Sequence, residues 1–309
     1  MNISEKVFEP RDNKHISRMV KAIEGWEEKS SMELKEPTGM FGQKTIVKSG
    51  GVKIDSDDLD IEFTIPFDDD IVPNEAEICV FNLSKNTIAQ LKTNAVITVE
   101  AGYNDDTGVI FSGRISQVKT KREGCDDRTT IKAIDKEDFD NDSVQSLAYK
   151  KGVKASYILK DLIDKLKLPV AMFQVAKDIT MKEATNIDGA LADNIKEYSE
   201  MCGAVTYING GKVYTRPQSK AIGAHFEINE DTGLIGSPEE FEETVTNREG
   251  ESSKKEKITG YKLEMLLQHQ ITTGASVNLK SLYASGKYVV RKGQHTCSGT
   301  DFTTEVEVI

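Results

Sequence analysis

Apolar and polar residues alternate most clearly over residues 75–135. Four runs there, beginning at Ala76, Val96, Val109 and Thr129, are rich in Val, Ile, Phe and Thr, and clusters of Gly, Asn and Asp separate them. That is the pattern of strands and their turns. Only residues 87–92 depart from it. They read as one helical turn, with Ser84 placed to cap the free N–H groups. Upstream, residues 45–52 and 59–67 give two more strands. In the second, Ile61, Phe63, Ile65 and Phe67 alternate with Glu62, Thr64 and Pro66, so one face is apolar and the other wet. Pro66 has no N–H for a ladder, which puts the end of this strand at an edge or bulge. Six strands and a helical turn between 44 and 136 suffice for a small antiparallel barrel.

The period then lengthens. Residues 156–168 carry Ile158, Leu159, Leu162, Ile163 and Leu166 on one stripe, a packed helix ended by Pro169. Residues 188–201 give a second helix through Leu191, Ile195 and Tyr198, with Asp188 as its expected cap and Gly203 suited to the left-handed position that stops it. Asn209-Gly210-Gly211 between two β-like runs predicts a hairpin. From His225 the text is β-like again. Residues 237–257 interrupt it, crowded with Glu, Lys, Ser and Asn, and are expected to form an acidic, mobile loop. Strands resume at 258–267, 277–279, 286–292 and 303–309.

The fold class expected is therefore mainly β with an α+β insertion: two antiparallel β-barrel domains flanking a small module of a helix pair and a hairpin. The expected divisions are a polar segment at 1–43, a first β domain at 44–149, the α+β module at 150–216 and a second β domain at 217–309. Within the first segment, Ile16, Met19, Val20, Ile23 and Trp26 fall at helical spacing, so a short amphipathic helix is expected at 15–26.

Composition narrows the function. The 309 residues have a formal net charge of −11, which argues against stable nucleic-acid binding. Eight acidic and no basic residues lie in 55–70. No run approaches the roughly 18 apolar residues of a membrane helix, so no membrane insertion is expected. Residues 1–10 lack a signal-peptide core, which makes a cytoplasm the expected place of synthesis. Cys79, Cys125, Cys202 and Cys297 form no C-x-x-C pair, so reduced and mostly buried thiols are expected rather than zinc ligands or a disulfide framework.

Catalytic chemistry is not legible. His15, His225, His269 and His295 sit in no metal spacing. His295 and Cys297 share a strand face, but a nucleophile pair needs a third, orienting group. The Asp68–Asp70 and Asn104–Asp106 clusters lack the ligand order of a calcium loop. No phosphate loop, dinucleotide fingerprint or G-x-S-x-G is present. Catalytic, cofactor and metal residues are accordingly expected to be none.

The phrases Ala76-Glu77-Ile78-x-Val80-x-Asn82-Leu83-Ser84, Ala101-Gly102-Tyr103, Ile110-Phe111-x-Gly113-x-Ile115 and Ala133-x-Asp135 resemble baseplate hub proteins of contractile-tailed phages and phage-tail-like bacteriocins, the family that includes the late-control D proteins. Gly203-Ala204-Val205, Gly274-x-x-Val277, Gly286-Lys287-Tyr288-Val289-Val290 and His295 before Phe302-Thr303-Thr304-Glu305 continue the resemblance, which spans residues 44–309. It implies tail-tube-like β domains and a homotrimer whose pseudo-sixfold ring adapts a hexameric tail tube to a trimeric spike. The partners implied are the chain itself, the tail tube protein, the central spike protein, other baseplate proteins and the tape measure. The place implied is the baseplate of a virion or tail particle assembled in a host bacterial cytoplasm. Two other classes compete with it: a cell-wall-degrading tail enzyme, for which no residues are left over, and a receptor- or carbohydrate-binding β module, for which the aromatics are too scattered.

Overall fold

The computed structural model describes residues 41–135, 143–249 and 252–309. The helix expected at 15–26 lies outside them. The first β half comprises β1 (Gln43–Ser49), β2 (Val52–Asp55), β3 (Ile61–Phe67), β4 (Glu75–Phe81), α1 (Lys85–Gln90), β5 (Val96–Tyr103), β6 (Asp106–Glu123) and β7 (Asp126–Ile134). The α+β module contains β8 (Ser143–Tyr149), α2 (Ala155–Asp164), β9 (Val170–Phe173), β10 (Thr185–Ala190), α3 (Leu191–Met201), β11 (Val205–Asn209) and β12 (Lys212–Arg216). The second half comprises β13 (His225–Ile228), β14 (Leu234–Glu249), β15 (Ser252–Leu266), β16 (Ser276–Lys280), β17 (Ser285–Ser298) and β18 (Asp301–Val308).

The chain is thus mostly β and largely antiparallel, with three separate apolar cores. One fills the first half, one the second, and one the module under α2 and α3. Local chemistry explains several boundaries. The Ser84 hydroxyl accepts the Thr87 N–H at 3.1 Å and starts α1. Gly203, at φ +62°, ends α3. Its N–H reaches the Glu200 carbonyl and the Ala204 N–H reaches that of Ser199, both at 2.9 Å, the paired bonds of a Schellman stop. Gly210 and Gly211 both have positive φ and form the two-residue turn between β11 and β12.

Several expectations need correction. The single strand at 45–52 is two strands, because Gly50 at φ +58° turns the chain between β1 and β2. Asp188 does not cap α3. The cap position is Ala190, without a side-chain bond, and Asn194 Nδ2 instead donates to the Asp188 and Ala190 carbonyls. The largest correction concerns 237–257. Residues 237–249 and 252–257 are not a loop but the paired outer portions of β14 and β15, in register from Glu239↔Lys262 to Glu249↔Ser252. Their Thr, Val and Phe positions suit a strand, and Lys257 pairs with Glu242 at 2.6 Å. Residues 143–149, within the expected first β domain, form β8, which pairs with β10 and sets Leu147 and Tyr149 against the module core.

The two β halves do not stand apart. β17 pairs with β3, from Gly293↔Phe67 to Cys297↔Phe63, so one 13-stranded sheet runs through both. β4 leaves β3 at Thr64, two residues before Pro66, so the missing N–H faces no ladder on that side. Each half sends an aromatic across the seam. Phe302 of β18 lies in the first core, and Phe67 of β3 packs against the second. The Phe67 ring covers Gly293, where a Cβ would sit 2.7 Å from Cζ of that ring.

Candidate assembly surfaces

The side chains that suggested chemistry are core residues. His295 is 2% exposed, with Nδ1 2.9 Å from Thr304 Oγ1 and its ring 5.0 Å from that of Phe67. Burial holds its pKa down to about 3, so the imidazole is neutral. Cys297 donates to the Ile61 carbonyl at 3.3 Å, and burial pushes its thiol up to about 11. A thiol so raised is not a thiolate nucleophile. Of the other thiols, Cys79 and Cys202 are buried and Cys125 is exposed. Among the described residues, no group of three or more His, Cys, Asp or Glu is placed to hold a metal ion. None of their helices is long and apolar enough to cross a membrane.

The acidic run at 55–70 divides in two. Lys44 and Lys53 bind Asp55 at 2.5 and 2.9 Å and hold its carboxyl well below the usual range, while Asp57, Asp58 and Asp60 face solvent. Asp68 and Asp69 instead lie at a junction between the module, whose core Ile71 of the same loop enters, and the second half, which supplies Arg291 and Thr273. Burial and the neighbouring Asp70, Asp69 and Asp135 push Asp68 up to about 6. Asp135, which accepts the Asn74 N–H at 2.9 Å, is raised by burial to about 6 as well. In the Asp68–Asp70 turn, carboxylates accept backbone N–H groups: Asp68 that of Asp70, and Asp70 that of Val72. These are turn bonds rather than a metal cradle.

That junction also holds two arginines. Arg216, fully buried at the end of β12, donates from Nη1 to the carbonyls of Pro217, Gln218 and Lys220 at 3.2, 2.6 and 3.0 Å. It thereby fixes the segment leading from the module to the second half. Arg291 of β17 lies 3.6 Å from Asp69 and 2.6 Å from Glu243, tying β14 to the loop after β3. Burial outweighs the pull of Arg291 and Arg216 on Asp69, whose pKa is raised. Ile71 of the same loop enters the module core. Neither arginine was legible in the sequence as a joint, because its partners lie on segments far along the chain.

What remains exposed is suited to contacts with other proteins. Among the described residues the sheet has three edges paired on one side only, β14, β2 and, on the branch through β16, β13, and unpaired edges are templates for association. Among the described residues, β6 has β7 alone as a neighbour over residues 117–123. Leu282 and Tyr283, at the turn between β16 and β17, are 84% and 75% exposed. Beside the first core, a concavity of about 470 Å³ opens between Ile61, Glu62, Phe81, Asp126, Cys297 and Phe302.

Residues 75–307 match the family model described as baseplate hub gp41. The chain belongs to this baseplate hub family. It is a structural protein of a tail baseplate, and the match runs from β4 through the module to β18, with β1, β2 and β3 lying before it. No curated protein sequence matches it. Solved structures show the same fold. The hub chain is similar to a tail protein from Neisseria meningitidis MC58, with a TM-score of 0.59 and 10% identity over 87% of this chain and 96% of that one. It is similar to the 43 kDa tail protein of prophage MuSo2 from Shewanella oneidensis, at 0.55 and 7% over 86% and 97%. A third is an Escherichia coli component of the type VI secretion system, described as structurally similar to the T4 bacteriophage tail proteins gp27 and gp5. It scores 0.53 at 9% identity over 85% and 76%.

Proposed function

We propose that this hub assembles as a homotrimer whose ring joins a hexameric tail tube to a trimeric spike. The observation that carries the reading is the pair of β cores in one chain, joined across β3 and β17 into a single sheet. Three such chains present six β units on one side while keeping threefold symmetry on the other. Closed rings are the usual fate of repeated head-to-tail contacts. The open edges at β2 and β14 are then covered by neighbours, which are other copies or the tube and spike proteins. On this reading the chain carries no catalytic step, and the buried His295 and the half-buried Cys297 are packing residues. The net charge of −11 suits a particle through whose channel an acidic polymer slides without adhering.

The test is the mass of the purified particle by light scattering, alone and with its spike and tube proteins. A trimer, or a complex containing three copies, supports the reading. A monomer at every concentration that binds neither protein refutes it, and loss of turbidity in a cell-wall suspension transfers the case to an enzyme.

A further inference from the structure

Leu282 and Tyr283 are held out by a built turn. The Ser281 N–H donates to the Ala284 carbonyl at 3.0 Å. The Ser281 hydroxyl accepts the N–H groups of Tyr283 and Ala284 at 3.1 and 3.3 Å. Ala284 itself is buried, at 8% exposure, and Lys280 pairs in register with Ser285 across the hairpin. An aromatic and an aliphatic side chain on a turn already ordered lose little freedom on binding, which is the character of an interface anchor.

The turn begins β17, and the concavity beside the first core lies at the other end of the same strand. β17 has 14 residues, so at about 3.3 Å each its ends stand roughly 40 Å apart. Half-buried Leu59 and Cys297 give the concavity its apolar part, while Ile61 and Phe302 are buried. Glu62, which Arg128 meets at 3.5 Å, and Asp126 stand at its rim with Asp60 beside them. Its volume of about 470 Å³ falls within the range of pockets that bury a bulky organic group, about 300–1,000 Å³. Lys280 and Lys287 flank the turn and are exposed, though Lys280 also meets Glu227 at 2.6 Å. Basic flanks facing an acidic rim favour one orientation more than they add affinity.

We propose that the Leu282–Tyr283 turn of one copy seats in the concavity at the far end of β17 in a second copy. One chain cannot make this contact with itself, because a single paired strand holds the two features apart. The contact is heterologous: it joins the second β half of one copy to the first β half of the next, and repeated it closes a ring or runs into a filament. The inference rests on the ring reading above and names its joint.

The test uses the full chain. Leu282→Ser with Tyr283→Ser removes exposed side chains only, so the melting temperature stays at the wild-type value, while self-association measured by sedimentation weakens at least about thirtyfold. In a Cys125→Ser background, copies carrying Tyr283→Cys are mixed with copies carrying Asp60→Cys under mild oxidation. The expected product is a disulfide between unlike copies. Four results overturn the proposal. The serine variant associating as tightly as wild type does so and leaves the ring reading intact. Tyr283→Cys cross-linking chiefly to itself shows a two-fold contact instead. Loss of tube or spike binding with self-association unchanged shows that the turn docks another particle protein. A wild-type chain that stays monomeric at the highest attainable concentration, and binds its spike and tube proteins in single copies or not at all, removes both the joint and the ring.

Discussion

Phe302→Ala probes the seam between the two β halves. Phe302 sits on β18 in the C-terminal half, yet its ring fills the first core at 2% exposure. It meets Phe63 and Tyr103 edge-on, with centroids 6.2 and 5.3 Å away. Its carbonyl accepts the Tyr103 hydroxyl at 3.3 Å and the Leu267 N–H at 3.0 Å. Alanine keeps that carbonyl and removes the ring, leaving a cavity against strands the mutation never touches. Such truncations cost about 3–5 kcal/mol, of which each aromatic pair accounts for about 0.5–1.5 kcal/mol. Against a typical stability of about 5–15 kcal/mol, this is a large share. The assay is urea unfolding combined with hydrogen exchange, which reads local protection segment by segment. Because β17 and β3 share a ladder, protection falls in β4 as well as in β16 and β18. A loss under about 1 kcal/mol, or one confined to the C-terminal strands, refutes the shared core.

Three further outcomes follow from the junction and the core. Gly274 has φ +86°, and a Cβ there would lie 2.7 Å from Ile222 Cγ1, 2.9 Å from the Tyr207 hydroxyl and 3.1 Å from Arg216 Nε. Gly274→Ala is expected to cost about 2–5 kcal/mol in urea unfolding, combining left-handed strain with overpacking; an unchanged midpoint contradicts this. Arg216→Met leaves three carbonyls without their cation and is expected to cost about 3 kcal/mol, read as earlier proteolysis of the segment at 217–222; wild-type resistance argues against the joint. For His295, burial lowers the folded pKa to about 3 from 6.5, so its stabilising contribution is present above pH 6.5 and is lost as pH falls toward 3. The loss approaches about 1.4 kcal/mol per pH unit. Asp68 and Asp135, both raised to about 6, act in the opposite sense, losing stability as pH rises through 6. The comparison is therefore between wild type and His295→Gln from pH 7 to 4.5, and equal slopes contradict the assignment.

Strands with one wet and one buried face were legible, because Ile61, Phe63 and Ile65 alternate with polar neighbours. Turns with fixed chemistry were legible too: Ser84 and the pair Gly210-Gly211 each have one local solution. The ribbons were not. Over 116–128 and 237–244 both faces meet water or charged partners, so the alternation that marks a strand fades while the ladder persists. Contacts made late in the chain were also hidden. Cys297 bonds to Ile61, and Thr273 Oγ1 donates to the Asp68 carbonyl, across 236 and 205 positions, distances at which no local pattern speaks. For the candidate surfaces, sequence phrases pointed to the hub family, while the exposed turn at Leu282–Tyr283 and the concavity by Phe302 emerged only once β17 placed them at opposite ends.

The reading of this hub as a ring of three chains and six β units is tested most directly by electron microscopy of the purified protein with its spike partner. The account predicts threefold particles with six β lobes around a central channel. Particles with true sixfold or twofold symmetry, or single copies on the spike, would contradict it.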